Sequence, residues 1–117
     1  TAAAFGAKAT LSYQYMTEPV INGDEQLNRI AQTAVTKLYG KESLITPAPL
    51  MGSEDFSWFG KDGIPYIYGF VASHNKDWGY MYGNHHEKYD VDETILHRGA
   101  AVAAQFAADY LAETAQQ

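Results

Sequence analysis

The stretch "GNHHEKYDVDE" at residues 83–93 sets two adjacent histidines, His85 and His86, among Gly, Asn, acids and a Tyr. Neutral imidazole is the commonest side-chain metal ligand near neutral pH, so this loop is the first candidate for metal chemistry. Adjacent side chains on an extended segment point to opposite sides, so the two histidines are not expected to share one ion. No second ligand lies at helical or hairpin distance, and spacing alone favours two solvated loop histidines over a ligand. His74 could line a pocket, but nothing around it selects it. His97 falls in the first turns of a predicted helix and reads as a surface or packing residue.

A second candidate is "GSEDF" at 52–56. Gly52 permits close backbone approach, and free N–H groups at a helix start can bind an anion such as a carboxylate. Equally, Gly52 and Ser53 could simply cap a short helix. The residues alone leave both readings open. Glu54 and Asp55 are sequence neighbours facing different directions and do not read as an acid/base pair. The aromatics of "YIYGF" and "DWGYMYG" either line an apolar pocket or pack as core and loop residues. The chain carries no GxSxG, HExxH, P-loop or Cys-based zinc motif.

The elements that would position these residues follow from periodicity. "ATLSYQYM" (9–16) alternates with period two, which predicts a strand with one solvated face. Before it, "TAAAFGA" resembles the tail of a helix stopped at Gly6. After the break at "TEPVINGDE" (17–25), Asn22 is a good N-cap and Glu25 can complete a capping box. Leu27, Ile30, Ala31, Ala34, Val35 and Leu38 then mark an amphipathic helix ended by Gly40. Ser53 is expected to cap a short helix over 54–59, ended by Gly60. "IPYIYGFV" (64–71) reads as a buried strand. A long polar-aromatic loop over 72–92 leads into a helix over 92–113 capped by Asp92. Ile95, Val102, Phe106 and Tyr110 form one of its stripes, with Leu96, Ala103, Ala107 and Leu111 beside it. Loops this long are usually functional or disordered, and the aromatics favour function.

Composition fits one small soluble domain: 117 residues, 46% hydrophobic and 19% charged. A net charge of −6 argues against nucleic acid, whose binding rests on Lys and Arg contacts to phosphate. No run of about 18 apolar residues is present, so no membrane span is expected. The absence of Cys excludes disulfides and thiolate sites within these residues. The order strand, helix, short helix, strand, loop, helix is α/β in character. Two strands cannot support a sheet with three helices, so partner strands are expected from elsewhere. The start at Thr1 leads to the same expectation, a piece of a longer protein.

Taken in order, "MGSEDFSWF", "GIPYIYGF", "GNHHEKYDVDE" and "AAVAAQFAADYL" resemble one family. They look like the C-terminal part of the co-catalytic metal aminoacylase/carboxypeptidase family, in its hippurate hydrolase and indole-acetyl-amino-acid amidohydrolase branch. "EPVIN" and the helix after it fit the same pattern, and the resemblance covers essentially the whole chain. It implies an α/β catalytic domain with a central sheet flanked by helices, interrupted by a satellite domain used for dimerisation. Residues 1–17 would end the satellite domain, and 18–117 would form the C-terminal part of the catalytic domain.

By motif, the resemblance makes His85 the last metal ligand, puts His86 where relatives often have Ser or His, and brings Gly52 and Ser53 near the substrate. Glu87 departs from the Pro of many relatives. The other ligands and the general-base glutamate would lie upstream, so no catalytic residue is expected here and the isolated chain should be inactive. The implied reaction is metal-assisted hydrolysis of N-acyl or aryl-acyl amino acids by two divalent ions, zinc first, with manganese, cobalt or nickel as alternatives. The implied partners are a small N-acyl amino acid or dipeptide and a second copy in a homodimer, in the cytoplasm. Two alternatives stay open: a dipeptidase or carboxypeptidase of the same family, and a small non-catalytic binding module with an aromatic loop.

Overall fold

The computed structural model describes residues 1–78 and 82–115. Its framework is a pair of helices, α1 (Glu25–Tyr39) and α3 (Leu96–Thr114), packed on each other, with a short helix α2 (Ser57–Lys61) between them in sequence. Part of the loop expected over 72–92, residues 79–81 of the "DWGYMYG" stretch, lies outside the described residues.

Helix α1 forms for the reasons its sequence gives. Leu27, Ile30 and Ala34 recur at helical spacing and are the buried apolar side chains among the described residues. Burying side chains of the Leu or Ile type stabilises by roughly 1.5–3 kcal/mol each. Its cap is not Asn22 but Asp24, whose Oδ1 accepts from the Leu27 N–H at 2.8 Å. Gly40 ends it with φ 84. Arg29 grips Glu113 of α3 with two hydrogen bonds, at 2.9 and 2.7 Å, and Lys37 meets Asp109 at 2.7 Å.

Asp92, expected to cap a helix over 92–113, caps instead a 3-10 turn over Glu93–Ile95, accepting from the Thr94 N–H at 2.9 Å; α3 follows from Leu96, with Ile95 at its N-cap and no side-chain cap. Of the two stripes expected there, Ile95, Val102 and Phe106 are half-buried, whereas Leu96, Ala103, Ala107 and Leu111 are exposed. Gly99 lies close to the 64–71 segment: a Cβ there would stand 3.2 Å from Val71 Cγ2. The chain start is a 3-10 turn over Ala2–Phe5, stopped by Gly6 at φ 67.

The expected α/β class with a central sheet is not what the chain adopts. Among the described residues there is no strand, and the one β-bridge joins Tyr82 to Tyr89. Residues 9–16 carry no regular secondary structure, and their apolar face is as open as their polar one, with Leu11 89% exposed. The reason is physical: alternation fixes which side chains share a face, but a strand exists only when a second strand takes up its N–H and C=O groups.

The 64–71 segment, expected to be a buried strand, is likewise unpaired by any strand and only partly covered. A side chain does the pairing instead. Asn22 Nδ2 donates to the Tyr68 carbonyl at 2.8 Å while its Oδ1 accepts from the Tyr68 N–H at 2.8 Å. The Tyr66 hydroxyl accepts from the Ile21 N–H at 2.9 Å, a second tie between the same two stretches. The mean extension agrees with so open an arrangement, the radius of gyration being 19.9 Å against about 13 Å for a compact chain of 100 residues. No helix among the described residues is long and apolar enough to cross a membrane.

Candidate functional site

The loop carrying the histidines is closed by side chains at several levels. At its base, buried Asp92 accepts from Asn75 Nδ2 at 2.6 Å and from the Thr94 hydroxyl at 2.5 Å, and its N–H donates to the Ser73 carbonyl at 3.4 Å. One residue thus ties both ends of the loop to the start of α3. The hydrogen bonds from Thr94, followed by that from Asn75, hold the Asp92 carboxyl below the usual carboxylate range, against the effect of burial. Higher up, the Tyr82–Tyr89 bridge encloses a turn over 83–88.

Within that turn the two histidines differ sharply. The His86 ring stacks on Tyr82 with centroids 4.0 Å apart and planes 11° apart, and its Nδ1 accepts from the Lys88 N–H at 3.0 Å. Its backbone is held too: the His86 N–H donates to the Gly83 carbonyl at 3.3 Å, and the His86 carbonyl accepts from the Tyr89 N–H at 2.9 Å. His85 is exposed and has φ 69, the left-handed region that non-glycine residues seldom occupy. It makes no side-chain hydrogen bond, ion pair or ring contact among the described residues. Neither of its ring nitrogens is engaged, so either can present the lone pair of the imidazole, while Nδ1 of His86 is already committed.

As a donor set this fits a single arm of a metal site. Among the described residues, no group of three or more His, Cys, Asp or Glu side chains could hold an ion on its own. His85 can supply one imidazole; the remaining ligands would have to come from elsewhere.

The "GSEDF" segment takes a different form from the one expected. Ser53 is exposed and caps nothing; α2 begins at Ser57, and Gly63, with φ 75, follows its end where Gly60 was expected to stop it. Gly60 instead faces Tyr66, where a Cβ would lie 2.6 Å from Cε1. Glu54 is a tie rather than an acid catalyst: its Oε1 accepts from the Phe56 N–H at 3.2 Å and its Oε2 from the Tyr68 hydroxyl at 3.0 Å. That hydrogen bond to Glu54 raises the Tyr68 pKa. Gly52 is exposed with open space around its Cα. No hydrogen bond, ion pair or ring contact among the described residues joins Gly52 or Ser53 to the His85 turn.

The aromatics of 56–70 pack together, with Phe56 within 4.8, 5.6 and 5.3 Å (ring centroids) of Phe59, Tyr66 and Tyr68. Of these, Phe56, Phe59 and Tyr66 border a 490 Å³ cleft shared with Leu27, Phe106 and Tyr110. That cleft contains no His or carboxylate and lies apart from His85, so it reads as a packing space rather than a reaction site. Ser57 is 2% exposed with its hydroxyl unpartnered among the described residues, none of which is a base placed to activate it as a nucleophile.

Nothing local in the sequence marks Asn22 or Glu54 as partners of Tyr68, which lies 46 and 14 residues away. Asp92 was readable as a cap, but its bond to Asn75 across 17 residues was not.

Comparison with known proteins gives these residues a context. The chain is 34% identical to IAA-amino acid hydrolase ILR1-like 2 of Arabidopsis thaliana over 85% of its own length and 22% of that protein's. It is 35% identical to IAA-amino acid hydrolase ILR1-like 4 of the same plant over 81% of its length and 21% of the relative's. With thermostable carboxypeptidase 2 of Saccharolobus solfataricus it shares 29% identity over 88% of its length and 25% of that protein's. The chain thus spans about a fifth to a quarter of these curated relatives. No solved structure matches it significantly. The model of the family described as peptidase family M20/M25/M40 matches residues 6–109, which takes in α1, α2, the histidine turn and most of α3, and the chain belongs to that family.

Proposed function

We propose that the whole protein is a metal-dependent hydrolase that cleaves N-acyl or aryl-acyl amino acids to a carboxylate and a free amino acid. The reading is carried by one observation: within a chain of this family, His85 stands on a braced turn with neither ring nitrogen engaged, beside a histidine that is already engaged. The amidohydrolase branch is favoured by the relatives named IAA-amino acid hydrolase. A carboxypeptidase is the second reading, favoured by the relatives named thermostable carboxypeptidase. Both cleave an amide next to a free carboxylate, so they differ in the acyl side accepted.

In this reading two divalent ions, zinc first, supply carbonyl polarisation and a water of lowered pKa. His85 contributes one neutral imidazole to hold them. Asp92 and Asn75 close the base of the loop, and Gly52 and Ser53 lie near the substrate, their open backbone leaving room for its carboxylate. The general base lies outside this chain. Residues 1–17 belong to the end of a satellite domain used for dimerisation, and 18–117 to the catalytic domain. Because the chain carries one proposed ligand where two ions need several, it is inactive alone.

The test is hydrolysis of N-acyl amino acids by the full-length protein, set against C-terminal release from unblocked peptides. Turnover of the acyl amino acids alone supports the amidohydrolase reading. Turnover of the peptides alone favours the carboxypeptidase, and hydrolysis of neither contradicts both.

A further inference from the structure

We propose that His86 is a positioning residue that fixes the left-handed turn from which His85 reaches a metal ion. The inference rests on the reading of His85 as a ligand and assigns its neighbour a defined task. A residue with φ 69 that is not glycine is held there by its surroundings rather than by its own preference. Within the Tyr82–Tyr89 bridge, the contacts next to His85 are those of His86. Its ring stacks on the Tyr82 face with centroids 4.0 Å apart, and Nδ1 accepts from the Lys88 N–H at 3.0 Å. Its own N–H and carbonyl close onto Gly83 and Tyr89. These four contacts fix the residues on both sides of His85 while leaving the His85 ring untouched. Because Nδ1 accepts a hydrogen bond from the Lys88 N–H, its lone pair is already used, so the ring's contribution is structural and not coordination through Nδ1. Such partners matter because a ligand's orientation is set by what holds its backbone and ring.

The test uses full-length protein loaded with Co²⁺, whose visible d–d absorption reports both occupancy and ligand geometry. His86→Ala is expected to weaken Co²⁺ binding about 10- to 100-fold and to alter the d–d band. In the metal-free protein the same change speeds amide exchange at Lys88 and Tyr89. His86→Asn places an acceptor oxygen where Nδ1 stood and is expected to recover most of the affinity and the slow exchange. His85→Ala serves as the reference for loss of the ligand itself. Wild-type Co²⁺ binding by His86→Ala, with binding lost in His85→Ala, overturns the positioning role alone. Failure of His86→Asn to recover binding overturns it as well. Unchanged Co²⁺ binding and spectrum in His85→Ala overturns the ligand reading on which the role depends.

Discussion

The α1–α3 helix pair and the histidine turn over 83–89 are held by opposite strategies. In the helix pair the backbone satisfies itself, and side chains do the packing: Ile30 and Ala34 are fully enclosed, and the charged residues pair across the edge. In the turn the backbone has little regular structure, and side chains supply its order through Tyr82, His86 and Asp92. The first arrangement leaves few polar groups to spare. The second leaves one imidazole free on a fixed support, which is what a ligand needs. Stability therefore resides in the first region and the proposed chemistry in the second, so substitutions in the two should separate.

The largest expected effect on stability is in the helix pair. Ile30→Ala should cost about 2–5 kcal/mol in denaturant unfolding of the full-length protein, because Ile30 is 1% exposed and its removal leaves a cavity. A cost no greater than that of a surface substitution would break the contrast. Next comes Gly60→Ala, whose Cβ would meet the Tyr66 ring at 2.6 Å; moving that ring disturbs the hydroxyl that accepts from Ile21. The expected loss is about 1–3 kcal/mol, read in the same experiment. Asp24→Ala removes the cap of α1 and should cost about 1 kcal/mol, whereas Asn22→Ala should leave helix content unchanged and loosen the 64–71 segment. Amide exchange at Tyr68 separates the two.

The smallest effect concerns the two partly exposed ion pairs. Lys37 and Arg29 hold Asp109 and Glu113 below the ordinary carboxylate range. A depressed folded pKa stabilises above the unfolded value of about 4, and that contribution is lost as pH falls through the lower folded value. Thermal melts between pH 5 and 3 should show a slight weakening that Arg29→Met and Lys37→Met together remove. Added salt should blunt it, since exposed pairs contribute little.

The comparison also shows what a sequence can and cannot carry. The period of Leu27, Ile30 and Ala34 made α1 legible because a helix satisfies its own hydrogen bonds, so local spacing is enough. The alternation of Leu11, Tyr13 and Tyr15 was just as regular, yet no strand forms, because pairing needs a partner that spacing cannot name. Asn22 looked like a cap since Asn suits that position, and only the approach of Tyr68 shows that its amide serves a distant backbone. At His85 and His86 the residue type suggested metal chemistry, the order of motifs singled out His85, and the φ of 69 with the Tyr82 stack supplies the physical difference between them.

The most direct test is the metal content of full-length protein carrying His85→Ala, measured beside its hydrolysis of an N-acyl amino acid and its thermal stability without metal. The account predicts a sharp loss of bound metal and of hydrolysis with metal-free stability unchanged. Wild-type metal content and activity in that variant would contradict it.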